Sequence, residues 1–381
     1  MTWGLKLAHA LTGLLKTSIE KTDPIVRASG PVMKDLFDAN LETAKTLRSA
    51  PYSFTRLAPA KVSAVFDTYW RFAAERQDIF FRRMHGVVGP WSTDPILTEH
   101  KFTNAYRASD RVSQYLIRHV IYREDLPRTP REVFFRIMLF KLFNKIETWN
   151  LLEEKFGTLT YEGYDYAAYD KVLLNAKTEG KRIYSAAYIM PPGSKSFGKK
   201  YKHQNHLALL EMMIDERVPE RLAQFPTMQD GFECLKSYPT IGDFLAYQFI
   251  TDVNYSEVTN FNEMDFVVPG PGARDGLKKC FTDPGGLTEP ELIHLMADRQ
   301  EIEFERLGLD FKSLWGRPLQ LIDCQNLFCE VDKYARVAHP DIAGLSGRTR
   351  IKQKFKPTGK TPLPFYPPKW GLNDIIEPAT G

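Results

Sequence analysis

Leu235-Lys236-Ser237-Tyr238-Pro239-Thr240-Ile241-Gly242-Asp243-Phe244-Leu245-Ala246 is the stretch on which the fold turns. Its apolar spacing ends one helix, Pro239 and Gly242 bracket a tight turn, and Asp243 opens the next helix. Such a helix-hairpin-helix aims backbone N–H groups and a helix N-terminus at a DNA phosphate without needing a side-chain charge. Thr240 stands where that motif usually carries its first glycine. A plain interhelical turn that needs a glycine at its end is the competing reading.

Working outward, helical periodicity dominates and strand alternation is scarce, so the expected fold is mainly α with few or no strands. Upstream lies a basic loop holding Lys195, Lys199, Lys200 and Lys202, followed by a helix from Gln204 to Glu216. Aromatic-rich Lys61 to Arg83, Thr103 to Tyr122 and the stretch from Thr129 to Asn150 each read as one helix. Downstream, Glu289 to Leu307 and Leu319 to Val337 complete the body. Beyond Gly344 the basic residues Arg348, Arg350, Lys352 and Lys354 precede Phe365-Tyr366-Pro367-Pro368-Lys369-Trp370, which reads as a tail extended over the surface. The expected division is a helical extension over 1–60, a body over 61–345 with the hairpin at about 230–256, and a tail over 346–381.

The chain of 381 residues carries a formal net charge of +4, so bulk charge alone does not point to nucleic acid. What points there is the placement of basic runs on both sides of the hairpin, which suits phosphate-backbone contact. The four cysteines, Cys234, Cys280, Cys324 and Cys329, have neither C-x-x-C spacing nor a His/Cys cluster around them, so no metal site and a reducing, cytoplasmic setting are expected. No organic cofactor is signalled. No apolar run reaches the length of a membrane span, and Leu7 to Leu15 reads as an amphipathic helix rather than a signal peptide.

Three further constellations join different polar types to apolar helices. Asp265-Phe266-Val267-Val268-Pro269-Gly270-Pro271-Gly272-Ala273 couples an acid to a Gly-rich loop and a helix start, an anion cradle or a structural turn. No complete Gly-x-x-x-x-Gly-Lys-Ser/Thr loop occurs, so nothing supports a P-loop kinase. Helix-hairpin-helix DNA glycosylases place a catalytic aspartate at about the distance of Asp265 past the hairpin glycine, a parallel that is analogy. On the helix from Asp323 to Arg336, Asp323, Asn326, Glu330 and Lys333 share one face, either an active-site wall or a buried structural network. Asn104, Arg107, Arg111, Gln114 and Arg118 form one helical stripe, a bidentate anion holder or a solvated face paired with Asp110.

At these positions the chain resembles a known family. Phe72 to Gln77, Pro90-Trp91, Asp94 to Leu97, Phe102 to Arg111, Gly242 to Ser256, Asp265 to Gly276, Asp323 to Pro340 and Pro367 to Trp370 carry the resemblance, which covers roughly residues 65 to 370. The family is the phage-type amino acid:DNA transferases, also called alpha-glutamyl/putrescinyl-thymine pyrophosphorylases and labelled the helical domain of 5-hydroxymethyluracil DNA kinases. The resemblance implies a helix-hairpin-helix, DNA-glycosylase-like helical fold and thymidine hypermodification of phage DNA. A separate kinase phosphorylates 5-hydroxymethyluracil in duplex DNA. The transferase then replaces phosphate or pyrophosphate with the amine of a free amino acid, glycine favoured, or of a polyamine. On that reading Asp265 is the first choice of base, with Asp323 and Glu330 next. Arg107 and Arg111 hold the phosphate or a carboxylate, and Asn104 and Lys333 support them. Asn326 reads the uracil edge, Asn254 and Tyr255 line the pocket, and Gly242 with the basic residues holds DNA. A covalent variant through Cys324 or Cys329, a base-excision glycosylase using Asp265, and a DNA-binding module without chemistry are the alternatives.

Overall fold

A computed structural model describes residues 58–356 and 362–376. Fourteen α-helices are found among them: α1 (Ala64–Met84), α2 (Pro95–Glu99), α3 (Arg111–Tyr115), α4 (Pro130–Phe143), α5 (Ile146–Phe156), α6 (Tyr166–Thr178), α7 (Ser194–Phe197), α8 (Lys202–Asp215), α9 (Val218–Leu222), α10 (Met228–Lys236), α11 (Asp243–Val253), α12 (Pro271–Cys280), α13 (Glu289–Arg306) and α14 (Leu321–Ala338). The described residues hold one two-stranded sheet, β1 (Lys61–Val62) with β2 (Phe281–Asp283). The fold is mainly α, as the periodicity predicts.

The chain divides into two units, one of residues 1–61 with 283–287 and one of 62–282 with 288–381. Within the described part of the first, Lys61 pairs with Asp283 at 3.6 Å. Apart from its last residues, the expected N-terminal extension lies outside the described residues. Everything below concerns the second unit.

Local signals set the helix starts. Ser63 Oγ accepts the Val65 N–H at 3.0 Å and caps α1. Asp94 accepts the N–H groups of Ile96 (2.7 Å) and Leu97 (3.2 Å), with Pro95 in the first turn of α2. Two long helices expected from the sequence are broken. Asn144, at φ 49° in the left-handed region, ends α4, and α5 starts two residues later. The helix expected from Thr103 starts only at Arg111, because carboxylates capture its first N–H groups: Glu330 takes that of Thr103 (3.0 Å) and Asp110 that of Asn104 (2.8 Å). The stripe from Asn104 to Arg118 is therefore not one helical face.

Two close helix pairs organise the body. Gly276 brings α12 against α14 so tightly that a Cβ there would collide with the Phe328 carbonyl. Gly231 does the same for α10 and α11, where a Cβ would stand 2.7 Å from Ile250 Cδ1. Around α14 the aromatic core interlocks, Trp70 edge to face on Phe304 at 5.1 Å and Tyr69 tilted against Phe328 at 4.7 Å. Between α10 and α11, Thr240 takes φ +70°, the left-handed conformation that a glycine would supply. Residues 362–376 fold back instead of lying extended: Tyr366 is fully buried and its hydroxyl meets Ser109 Oγ at 2.8 Å. No described helix is long and apolar enough to cross a membrane.

Candidate active site

The loop that replaces the first turns of the expected helix carries Arg107 into the interior, where it is 1% exposed. Its Nη1 donates to Asp252 Oδ1 (2.8 Å) and to the Tyr255 hydroxyl (3.0 Å), and its Nε donates to Gln248 Oε1 (3.1 Å). Asp252 also meets Lys141 Nζ at 3.0 Å, so one carboxylate serves two buried cations. Burial works against the Arg107 charge, but Asp252 outweighs it and holds the guanidinium firmly protonated. For Lys141 burial wins, and its affinity for a proton falls. Gln248 passes the chain on, its Nε2 donating to Gln325 Oε1 at 3.4 Å.

Tyr188 joins this network from a different part of the chain. Its ring lies 4.6 Å from Lys141 Nζ and parallel to Phe244, with centroids 5.7 Å apart. Burial pushes its hydroxyl up to about 12, against the pull of Arg107, and Asp252, Asp110 and Cys329 act on it as well. The start of α12 closes the group. A Cβ on Gly270 would stand 2.7 Å from the Phe244 ring and 3.6 Å from Gln325 Nε2, and one on Gly272 would collide with Cys329 Sγ. On α14, Asn326 and Cys329 reach the surface between buried neighbours.

Asp110 is the titratable group of this cluster. Enclosure pushes its carboxyl up to about 7, Glu330 adds to the rise, and the Asn104 N–H and Arg76 oppose it. A carboxyl at that value is half ionised at neutral pH, the condition in which a side chain both takes and gives a proton. Burial also lifts the Cys329 thiol to about 12, with Glu330 adding.

The structure gathers some of the expected residues and scatters others. Asp323 is buried, with Oδ1 accepting the Arg107 N–H (2.8 Å) and Oδ2 the Gln320 N–H (3.0 Å). Glu330 Oε2 accepts from Thr103 and pairs with Lys333 at 2.6 Å. Asn104 is held by Arg76 Nη2 (3.0 Å) and donates to the Ser109 carbonyl (2.8 Å). Asn254 is spent on its own loop, its Oδ1 accepting from Thr259 Oγ1 and the Phe261 N–H. Arg111 is exposed and acts on Glu147. Asp265 is exposed in a turn, accepts from Asn262 Nδ2 at 2.7 Å and acts on His294, so it stands outside the cluster.

Sequence reasoning passed over Tyr188, Phe244, Gln248 and Gln325, and treated Asp110 only as an ion-pair partner. The signal for Asp110 was local: its carboxylate, six residues after Asn104, folds back to cap that N–H. Tyr188 carried none beyond its place before Pro191-Pro192-Gly193.

The basic residues fall on two surfaces. Lys195, Lys199 and Lys200 are exposed, and Lys202 lies over the Tyr184 ring at 4.3 Å. Their loop abuts the turn between α10 and α11, since a Cβ on Gly193 would stand 3.4 Å from Thr240 Cγ2. Gly242, at the head of α11, is exposed with open space around it. Arg348, Arg350, Lys352 and Lys354 are exposed on a separate stretch, where Lys354 pairs with Glu99. A recess of about 220 Å³ lies between Arg317, Gln320, Lys369 and Trp370. Its cations serve the fold: Arg317 pairs with Glu263 at 2.7 Å, and Lys369 donates to the carbonyls of Ser256 and Thr259.

Residues 63–344 match the family described as the 5-hmdU DNA kinase helical domain. The chain is also similar to the 5-hmdU DNA kinase of Bacillus phage SP10, 27% identical over 301 residues that make up 73% of this chain and 46% of that protein. It thus spans about half the length of the curated relative it matches. No solved structure matches.

Proposed function

The chain belongs to the family of 5-hmdU DNA kinase helical domains, and from that premise we propose that it modifies duplex phage DNA as an amine transferase of thymidine hypermodification. The substrate is 5-phosphomethyl-deoxyuridine, or its pyrophosphorylated form, and the product carries the amine of an amino acid, glycine favoured, or of a polyamine. A separate kinase supplies the phosphorylated base. The SP10 relative bears a kinase name, but this chain has no complete P-loop.

The observation that carries the reading is the convergence around Tyr188. An aromatic pair suited to stacking a flipped pyrimidine adjoins an enclosed carboxylate, a buried guanidinium and a helix N-terminus. The target carbon is hidden in a stacked duplex, so the nucleotide swings out onto the Tyr188–Phe244 wall. Lysines 195, 199, 200 and 202, the hairpin at Gly242 and the stretch from Arg348 to Lys354 hold the backbone. The amine nitrogen then attacks the 5-methylene carbon, forming C–N as the C–O bond breaks, and phosphate leaves with the bonding pair. The nitrogen's proton passes to Asp110. A carboxyl at about 7 lies about three units nearer to an amine in proton affinity than an ordinary aspartate does, and so takes its proton more readily. Asp265, the first choice from sequence alone, gives up this role because it is exposed and bonded to Asn262. Arg107 and Lys141 supply positive potential beneath the site, and Asn326 is assigned to the uracil edge.

Mass spectrometry of nucleosides tests this, using duplex DNA that carries 5-phosphomethyluracil with a mixture of amino acids and polyamines. The expected product has lost phosphate and gained one amine. Abasic sites instead would identify a glycosylase, and unchanged nucleosides on both the phosphorylated and pyrophosphorylated duplexes would rule out the transferase.

A further inference from the structure

We propose that the N-terminus of α12 and the side-chain amide of Gln325 form an oxyanion site that takes the phosphoryl group on the modified base. This rests on the transferase reading and names which part of the substrate the cluster grips.

Helix α12 runs for ten residues, its N-cap is Gly270, no side chain caps it, and its first turn holds no acid. Pro271 has no N–H, so the N–H groups of Gly272 and Ala273 are the orphan donors at its head. Glycine at 270 and 272 leaves space where a Cβ would meet Phe244, Gln325 and Cys329. Positive helix-end potential and open backbone donors favour an anion there.

Gln325 is the independent observation. It is 2% exposed, and its Nε2 lies 3.6 Å from where a Gly270 Cβ would be. That nitrogen donates to no described residue. Its polarity follows from a chain of buried bonds that begins at Arg107. A guanidinium only donates, so Gln248 turns its oxygen to Arg107 Nε (3.1 Å). Its amide nitrogen must then donate to Gln325 Oε1 (3.4 Å), which leaves the Gln325 NH₂ facing the head of α12. The side chain is almost wholly enclosed, yet this donor is spent on no protein acceptor, so it is placed for an acceptor that arrives with substrate. The backbone and amide N–H groups there suit an oxyanion and offer an ammonium no acceptor, which keeps the incoming amine on the Asp110 side.

The test uses the full chain with no amine present. Fluorescence anisotropy compares duplexes carrying one 5-phosphomethyl-deoxyuridine or one 5-hydroxymethyl-deoxyuridine. Wild-type protein should prefer the phosphorylated duplex by at least tenfold. Gln325→Glu, which keeps the shape but replaces donors with a carboxylate, should erase that preference and leave the hydroxymethyl duplex within about twofold. A retained preference overturns the site. An equal loss on both duplexes means that Gln325 reads a ring carbonyl, and an unchanged duplex preference with a raised amino acid KM, measured in a separate turnover assay, means that it holds a carboxylate. Either result overturns the phosphoryl assignment. If the variant does not fold, hydrogen exchange on wild-type protein decides: inorganic pyrophosphate should slow exchange at Gly272 and Ala273, and no slowing overturns the site. Aminated product from wild type together with an unchanged preference in the variant sinks this site and spares the transferase. A preference that depends on Gln325 without any aminated product does the reverse.

Discussion

Asp110 and Asp323 occupy neighbouring regions and share one electrostatic fate, for burial is the largest cause that pushes each carboxyl up to about 7. Their surroundings separate them. Asp323 gives one oxygen to the Arg107 N–H and the other to the Gln320 N–H, where it caps α14. Asp110 commits Oδ1 to the Asn104 N–H, and its Oδ2 bonds to no described residue. A raised proton affinity therefore does not identify a base. What matters is an oxygen left over after the fold has taken its share.

The largest effect that would sharpen this contrast comes from Asp110→Asn. The amide oxygen can still accept the Asn104 N–H, so the turn survives, but the proton acceptor is gone. Transfer should fall about 10²- to 10⁴-fold, the usual contribution of a general base, with the thermal midpoint little changed. Single-turnover product formation measures it. An equal kinetic loss in well-folded Asp323→Asn would break the contrast. The expected result for Asp323→Asn is structural: its NH₂ would oppose a backbone N–H, costing about 1–3 kcal/mol in urea unfolding, with near-normal turnover in the folded fraction.

The pH dependence comes next in size. If Asp110 takes the proton, the transfer rate should climb up to tenfold per unit as pH rises towards about 7, then level off as the carboxylate fills. Stability runs the other way. Both carboxyls have folded-state affinities above the unfolded value, so the native state keeps protons that the unfolded chain has released. The stabilisation is fully present below about pH 4 and is lost as pH rises through about 7. Asp323→Asn should flatten that slope and leave the rate profile in place, and unfolding free energies at pH 4, 5.5 and 7 would show it.

The same contrast explains what the sequence disclosed. Capping and turn signals are local, so Asp94-Pro95 and the Pro239 to Gly242 turn were legible and fix where helices begin. The left-handed Thr240 was legible as an anomaly, a residue where glycine is usual. The break before Arg111 was not, because its cause is long-range: Glu330 reaches across 227 residues to take the Thr103 N–H. The cluster suffers the same way, since Asp110, Lys141, Tyr188, Gln248 and Gln325 come from five separate segments and share no spacing. Asp265 drew attention through its distance from the hairpin, yet that distance says nothing about enclosure, and its side chain lies in water.

The smallest expected effect concerns Cys329, which touches the cluster at Gly272 and is the remaining candidate for a covalent route, since Cys324 is wholly buried. Enclosure and Glu330 lift its thiol to about 12, so about one molecule in 10⁵ carries the thiolate at pH 7. A nucleophile so rarely ionised would need Lys333 or a bound substrate to lower its proton affinity greatly. Cys329→Ser keeps the size of the side chain against Gly272, so direct displacement predicts a rate within about threefold of wild type. A loss of a hundredfold or more, with mass spectrometry trapping protein–DNA adducts only in the wild type, would establish the covalent route. Asp110 would then act on the thiol as well as on the amine, and its free oxygen would still be what sets it apart from Asp323.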